Sequence, residues 1–582
     1  MISFASLPPL HNMSMSTSLG AALLLLTCPA ALASPVQGTD APTSWFQEEA
    51  LASGLTWKHV SGAPADRHWF PEIMGGGVAL FDYDGDGDLD VYFVQSGYLT
   101  PGEDQTSPTN RLFKNMTLEQ AADDQLGGPQ FVDMTFTAGV GDDGYGMGVA
   151  CGDYDGDGDV DLYVTNVGAN VFYQNQGDGT FKDVTARFNL GDARWGTSAA
   201  FVDGNSDGKL DLFVVNNLNW SPAIETPCNN YRNKPDYCSP NNYNAQSTDL
   251  LFLQGRLGFA DYSRKQGLHL TTGNGLGVAC ADYDMDGDTD IYVANDATAN
   301  ALWRNSGMDS FKDVALAGGC AVNSTGTPEA GMGVQWVDVN QDGWFDLFMT
   351  HIRRETNTFY MNREGRFRDM TNMTGLGPAS LRLTGFGMGF HDFDLDGRLD
   401  LYVANGAVQA WGRQESFSSD PYAEPNLLYR GLGGTRFESL GEGTSSPVIG
   451  SSRGAAFGDI DNDGDVDIVV VDRDAQVKLL RNVAPRAGTW VGVELKGSRF
   501  KTAVGAVVRL ETSSLLNGEV VSASQYRLAD PAYSYLSSND PRVHFGLAPG
   551  HEVVGLFVRW PGSKEETKLE IPKTGSYHSV QR

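Results

Sequence analysis

The stretch Asp82-Tyr83-Asp84-Gly85-Asp86-Gly87-Asp88-Leu89-Asp90 sets carboxylates at alternate positions with glycines between them. The pattern returns at Asp153–Asp161 (DYDGDGDVD), Asp203–Asp211 (DGNSDGKLD), Asp282–Asp290 (DYDMDGDTD), Asp338–Asp346 (DVNQDGWFD), Asp392–Asp400 (DFDLDGRLD) and Asp459–Asp467 (DIDNDGDVD). Positions 1, 3, 5 and 9 carry Asp or Asn in every copy. Such side chains suit a hard cation, because Ca²⁺ takes about 6–8 oxygens from carboxylates, carbonyls and water in flexible geometry. A single Asp-Gly run is an ordinary hairpin turn, but seven copies in register are not, and about seven Ca²⁺ sites are expected.

The expected ligands are Asp82, Asp84, Asp86 and Asp90, then Asp153, Asp155, Asp157 and Asp161, then Asp203, Asn205, Asp207 and Asp211. They continue with Asp282, Asp284, Asp286 and Asp290, then Asp338, Asn340, Asp342 and Asp346. Asp392, Asp394, Asp396 and Asp400, and finally Asp459, Asp461, Asp463 and Asp467, complete the set. Gly at position 6 (Gly87, Gly158, Gly208, Gly287, Gly343, Gly397, Gly464) permits the sharp turn around one ion. Position 7 varies freely (Asp88, Lys209, Trp344, Arg398), so only its carbonyl is expected to serve. An EF-hand loop would close with Glu at position 12. Here Asp closes the loop at position 9 and a strand follows at once, which makes the site strand–loop–strand.

The flanks give the architecture. Upstream of each acidic loop lies a strand of small residues, with Gly77, Gly148, Ser198, Gly277, Gly333, Gly387 or Gly454 five before the loop. Small residues at that place suit a crowded axis where backbones approach closely. Downstream comes a strand apolar on both faces, such as Leu162-Tyr163-Val164, as burial between neighbouring sheets requires. A third strand follows, as in Leu302-Trp303-Arg304-Asn305, and a fourth opens with Phe, as at Phe131, Phe181, Phe259, Phe311 and Phe367. Four short strands per repeat, seven times over, predict an all-β fold: a seven-bladed β-propeller. The last repeat has no Phe strand after Leu479-Leu480-Arg481-Asn482, and Phe46–Ala50 is expected to supply it and close the ring.

The chain has 582 residues and a net charge of −32, an acidity that argues against nucleic acid and anionic membranes as partners. Without metal, carboxylates about 4 Å apart repel by roughly 4 kcal/mol per pair at an effective dielectric near 20. Residues 1–33 read as a signal peptide, with an apolar core at Leu23–Leu26 and cleavage after Ala33, although no Lys or Arg precedes Lys58. A lipoprotein at Cys28 is the alternative. The apolar run is too short for a stable membrane span, so the protein is expected to be secreted, periplasmic or on the cell surface. Cys228 and Cys238 flank an Asn/Pro-rich insertion and are expected to form a disulfide; Cys151 and Cys280 read as small buried thiols, and Cys320 has no obvious partner. Residues 34–484 are assigned to the propeller, and from 485 to 582 the acidic loops stop and a separate β-domain begins.

The acidic loops and their flanks resemble FG-GAP/VCBS repeats, as in integrin α-subunit propellers. The run Tyr535-Leu536-Ser537-Ser538-Asn539-Asp540-Pro541-Arg542-Val543-His544-Phe545-Gly546-Leu547, followed by Val558-Arg559-Trp560-Pro561-Gly562, resembles the ASPIC/UnbV domain. Together they resemble the cartilage acidic protein family and its bacterial relatives, which implies an exported calcium-binding protein with a β-sandwich-like C-terminal domain. Two positions depart from that pattern: Asn405-Gly406-Ala407-Val408 lacks the family's His, and Asp530-Pro531-Ala532 stands where two glycines are usual.

The nine histidines are scattered; His391 is expected to be packed or hydrogen-bonded rather than channel-facing, and His544 reads as structural. There is no Gly-x-Ser-x-Gly elbow, phosphate loop or zinc-type spacing. Asn115, Asn219, Asn323 and Asn372 begin Asn-x-Ser/Thr sequons. The leading expectation is an exported calcium-binding protein acting as a binding or adhesion module for a protein or glycan partner. The alternative is a biosynthetic or carbohydrate-active enzyme, with its site in the propeller channel or under the 217–249 insertion.

Overall fold

A computed structural model describes residues 44–582 apart from 65–66, 101, 103–105, 121–127, 308–310, 411–417, 442–447, 499–500 and 517. The expected signal peptide and Cys28 lie outside the described residues. The described residues belong to one compact unit.

Seven four-stranded antiparallel sheets form from the described residues, one per acidic loop. In blade 1 the strands run Val78–Phe81, Asp90–Phe93, Arg111–Asn115 and Phe131–Asp133. Blades 2 to 6 repeat the order, and the inner strands pack each on the next around a ring, the seventh returning to the first. The seventh blade borrows its outer strand. Phe46–Glu48 pairs antiparallel with Lys478–Asn482, Phe46 opposite Asn482, so the expected closure is present. Phe46 is buried there against Phe393 and Tyr402, which anchors the borrowed strand.

The small residues of the inner strands have the reason the sequence suggested, and a second one. A Cβ on Gly277 or Gly333 would overlap the backbone of the neighbouring inner strand at Met332 or Phe386. A Cβ on Gly77 would instead overlap the carbonyl oxygen of Leu536, which belongs to the C-terminal part of the chain. There, residues 530–540 enter the ring and are hydrogen-bonded to its inner strands. Ser538 accepts from Leu80 N–H (3.0 Å) and donates to the Val78 carbonyl (3.0 Å). Leu536 O accepts from Val149 N–H (3.2 Å), and Ser534 exchanges two bonds with Val334 (3.0 and 3.1 Å). Ser534 Oγ donates to Ala455 O (2.8 Å) and accepts from Met388 N–H (3.0 Å), while Asn539 Oδ1 accepts from Phe457 N–H (3.0 Å). Tyr535 is buried edge-on against Phe386, 4.9 Å between centroids. Blades 1, 2, 5, 6 and 7 are thus tied to one plug.

The rest of the C-terminal part is two facing sheets around one core of Val491, Val493, Val508, Leu510, Phe545, Leu556 and neighbours. One is three-stranded, Val543–Leu547, Thr489–Lys496 and Tyr577–Gln581; the other is four-stranded, built on the long hairpin Ala506–Leu516 and Glu519–Ala529. A sandwich-like domain was expected, but not its insertion into the propeller.

Two further expectations are settled by burial. Cys228 and Cys238 form a disulfide, with Cα atoms 5.2 Å apart, and Cys151, Cys280 and Cys320 are buried free thiols. Asn115 is fully buried, so the first sequon is no attachment site.

Gly77→Ala is expected to force the plug and the blade 1 strand apart and to cost about 1–3 kcal/mol, the usual range for overpacking. Chemical denaturation followed by tryptophan fluorescence measures it; an unchanged midpoint would mean that the plug does not sit in the ring.

Candidate metal centres and the face that carries them

Numbered 1 to 7 in chain order, the acidic loops share one backbone geometry. Position 1 accepts a hydrogen bond from the position 6 N–H in each loop: Gly87 to Asp82 (2.9 Å), Gly158 to Asp153 (3.0 Å), Gly208 to Asp203 (2.9 Å) and Gly287 to Asp282 (3.2 Å). Gly343, Gly397 and Gly464 donate likewise to Asp338, Asp392 and Asp459 at 2.9, 2.8 and 2.9 Å. All seven position 6 glycines have positive φ, between +86° and +100°, a region that costs other residues roughly 1–2 kcal/mol. Position 4 is also left-handed, and Ser206, Met285, Gln341, Leu395 and Asn462 bear it without being glycine. Non-glycine residues held in that region mark a loop whose shape is fixed by its bonds.

Position 9 is buried and serves the framework. Asp90 accepts from Tyr83 N–H (2.9 Å) through one oxygen and from Asn115 N–H (2.8 Å) through the other. Asp161, Asp400 and Asp467 repeat this double bond with Tyr154 and Asn175, Phe393 and Gly431, and Ile460 and Asn482. The residue that meets position 9 on the third strand then ties blade to blade. Asn115 Nδ2 donates to Ile460 O in blade 7 (2.9 Å), Asn175 to Tyr83 O (2.8 Å), Asn305 to Gly204 O (3.1 Å), Asn362 to Tyr283 O (2.9 Å) and Asn482 to Phe393 O (2.9 Å). Gln254 does the same in blade 3 toward Tyr154 O (2.9 Å). Blade 6 has Gly431 there, and a Cβ would overlap Leu399 O. The recurrent Asn was visible in the sequence as the end of each third strand; its partner lies on another repeat, which no local pattern reveals.

In five loops three carboxylate oxygens lie within 4.8 Å of one another: Asp82, Asp84 and Asp86; Asp153, Asp155 and Asp161; Asp282, Asp284 and Asp290; Asp392, Asp394 and Asp400; and Asp459, Asp461 and Asp463. That separation is about twice a Ca–O bond, so each trio is placed to hold one metal ion. Loops 3 and 5 carry Asn205 and Asn340 at position 3 and offer amide oxygens where the others offer carboxylates. Buried carboxylate oxygens without a hydrogen-bond partner belong to this set, among them Asp155 Oδ1, Asp282 Oδ1, Asp284 Oδ1, Asp394 Oδ1 and Asp461 Oδ1. Orphaned acceptors of this kind are costly unless a ligand meets them. Burial is the first cause of the raised carboxyl pKa values, with neighbouring carboxylates adding to it: Asp153 and Asp461 rise to about 6, Asp459 to about 7, Asp346 and Asp392 to about 8. Burial raises Asp90, Asp161, Asp290, Asp400 and Asp467 well above the usual range.

The C-terminal sheets lie across this acidic face. Thr502 N–H donates to Gly208 O in loop 3 (2.7 Å), and Arg559 pairs with Asp282 Oδ2 in loop 4 (2.5 Å). The Tyr526 ring abuts Gly343 in loop 5, and Ala487 N–H donates to Asp394 O in loop 6 (2.7 Å). Loop 7 is the most heavily covered. Tyr577 OH donates to Asp459 Oδ2 (2.9 Å), Arg542 to Asp459 O (2.7 Å), and Arg486 pairs with Asp463 (3.0 Å) and Asp465 (2.8 Å). His544 is bonded to Gly464 O (2.9 Å) and stacked on Trp490, so its structural reading becomes a docking role. Loops 1 and 2 keep Gly85, Gly87, Asp157 and Gly158 exposed.

Residues 530–540 run through the propeller channel, hydrogen-bonded to its inner strands. His391 faces Tyr533 OH at 3.0 Å and stacks on Phe457, and burial lowers its pKa to about 3. Between this group and the domain face lies a cavity of about 80 Å³, bordered by Arg527, Asp530 and His544.

The FG-GAP-like repeat model matches residues 153–214, 282–349, 338–403 and 412–470, and the ASPIC and UnbV model matches 496–582. Cartilage acidic protein 1 of Xenopus tropicalis is 27% identical over 326 residues, 54% of this chain and 46% of that protein. The Homo sapiens protein of the same name is 26% identical over 317 residues, 53% and 44% of the two chains. The matched stretch therefore spans less than half the length of these relatives. Among solved structures, an Agrocybe aegerita lectin recognising non-reducing terminal N-acetylglucosamine is 13% identical, covers 69% of this chain and 87% of its own, and has a TM-score of 0.36. The rhamnogalacturonan lyase YesW is 12% identical over 71% and 72%, also at 0.36. Those two scores carry no argument about this protein.

Two outcomes follow from the geometry. Asn362→Ala leaves the Tyr283 and Phe345 carbonyls unmet in a buried site and is expected to cost about 1–3 kcal/mol in urea unfolding; a neutral result would refute the staple. In chelator, Asp346, Asp392 and Asp459 have folded pKa values above their unfolded ones, so their stabilisation is lost as pH rises through about 7 to 8. The metal-free melting temperature is expected to fall between pH 6.5 and 8.5. Below pH 6.5 the buried histidines His59 (about 4) and His351 (about 3) act in the opposite sense, which confines the test to that window.

Proposed function

From a chain that carries FG-GAP-like repeats and an ASPIC and UnbV domain, we propose a calcium-stabilised binding module, exported from the cell, whose partner is a protein or glycan. The carrying observation is the repeated trio of close carboxylate oxygens, several of them buried without a hydrogen-bond partner, in loops of fixed shape. Bound Ca²⁺ supplies the positive charge that those oxygens lack. The residues holding it are those at positions 1, 3, 5 and 9, with Asn205 and Asn340 giving amide oxygens in loops 3 and 5. This chain's own part is to hold the oxygens at the right separation before any ion arrives. The position 1 bonds and the left-handed residues at positions 4 and 6 do that.

The partner surface follows from what is covered. The acidic face is occupied from loop 3 to loop 7 by the C-terminal sheets, so the opposite face carries the partner. That face bears the 217–249 insertion, tied by Cys228–Cys238 and by Asp236, which accepts from Tyr422 OH (3.0 Å) and Ala410 N–H (2.8 Å) in the connection between the second and third strands of blade 6. Trp69 and Trp220 meet edge-on there, 5.7 Å between centroids, with Arg67 stacked 3.7 Å above Trp69, while the pair Tyr237 and Tyr422 is buried. The disulfide fits an exported protein, since such bonds persist in oxidising compartments.

Adding millimolar Ca²⁺ after EDTA treatment is expected to raise the melting temperature, by linkage between binding and folding. Asp155→Ala is expected to remove one site of the set and leave the others. A melting temperature indifferent to calcium would overturn the proposal.

A further inference from the structure

In blades 1, 2 and 6 the residue just before the third-strand position that meets position 9 contacts the acidic loop of its own blade, and its chemistry differs among them. In blade 1 it is Lys114, whose Nζ lies 2.5 Å from Asp84 Oδ2 and 2.9 Å from Asp86 Oδ2. These are two of the three carboxylates gathered at metal distance in loop 1. In blade 6 it is Arg430, 2.7 Å from Asp394 and 3.4 Å from Asp396. In blade 2 it is the neutral Gln174, which donates one hydrogen bond to Asp155 Oδ2 (2.7 Å). Blade 7 has Arg481, which pairs with Glu49 beside the borrowed N-terminal strand at 2.9 Å while its charge still acts on Asp461.

Resting on the metal-binding reading above, we propose that Lys114 and Arg430 are resident cations that grade the metal affinity of the loops. An ammonium between Asp84 and Asp86 supplies part of the charge that a divalent ion would bring, and it repels the ion at a few ångströms. Loop 1 is therefore partly neutralised from within and fills late. Loop 2 has the same sequence pattern, DYDGDGD, yet meets only an amide, so it fills first. Loop 6 falls with loop 1, because Arg430 lies against Asp394, a member of its trio. The repeats that look most alike in sequence thus differ in metal affinity through one side chain outside the loop. Lys114 and Gln174 act through the loop carboxylates and are positioning residues.

The test is calcium binding to the full chain at buffered free Ca²⁺, with bound ions counted by native mass spectrometry, on wild type, Lys114→Gln, Lys114→Arg and Gln174→Lys. Lys114→Gln is expected to tighten one site by about tenfold or more and Gln174→Lys to weaken one by a similar factor, with Lys114→Arg close to wild type. Melting in EDTA gives a second readout: Lys114→Gln melts below wild type without metal, and saturating calcium removes the deficit. Wild type that binds no divalent ion overturns the metal reading itself. Wild type that binds while Lys114→Gln and Gln174→Lys leave the isotherm unchanged overturns the grading alone. Should Lys114→Gln fail to fold without calcium, Gln174→Lys still decides, since it adds a charge and removes none.

Discussion

Like charge gathered in small buried loops is the condition to which the rest of this molecule responds. Five of the loops bring three carboxylates within a few ångströms, and burial first, then the neighbouring carboxylates, pushes Asp153 up to about 6 and Asp346 to about 8. Nothing about a hairpin requires such crowding. The cost is offset in three ways. Backbone N–H groups point at positions 1 and 9, basic side chains approach from outside the loop, and an ion of the right radius would meet the remaining oxygens.

The basic side chains also explain how the C-terminal sheets find their place. Arg486, Arg542 and Arg559 reach the acidic face from a part of the chain where basic residues become commoner. Electrostatic attraction between the two faces sets their register, and apolar contact at Trp490 on Gly464 and Ala548 on Gly397 completes it. The plug at residues 530–540 then links five blades through hydrogen bonds of its main chain and of the Ser534 and Asn539 side chains. A propeller whose inner strands are mostly small would otherwise have an open axis; here the axis is filled by main chain, which needs little width. The ring is held from outside by the borrowed strand Phe46–Glu48 and from inside by Ser534, Leu536 and Ser538.

Much of this was legible one repeat at a time. The alternation of Asp and Gly named the loops, the small residue five before each loop marked the crowded axis, and the missing Phe strand after Asn482 pointed back to Phe46. Each of those signals is local or is a count along the chain. The staple formed by Asn115, Asn175, Asn305, Asn362 and Asn482 was present as a recurrent letter but carried no meaning, because its acceptor sits on the preceding blade, or on the seventh for Asn115. The plug in the channel was hidden for the same reason. Tyr535 to Asp540 was recognised as a motif, while its destination some hundreds of residues upstream leaves no periodic trace.

The sequence by itself determined seven repeats, their strand order and the loops placed to hold metal, since these rest on side-chain alternation and on the backbone freedom of glycine at fixed spacings. Tertiary structure alone decided that the C-terminal sheets cover loops 3 to 7, that the axis is plugged, and that Lys114 and Gln174 set two near-identical loops apart. Those facts depend on which distant surfaces meet, and that is fixed by shape and charge summed over the folded molecule.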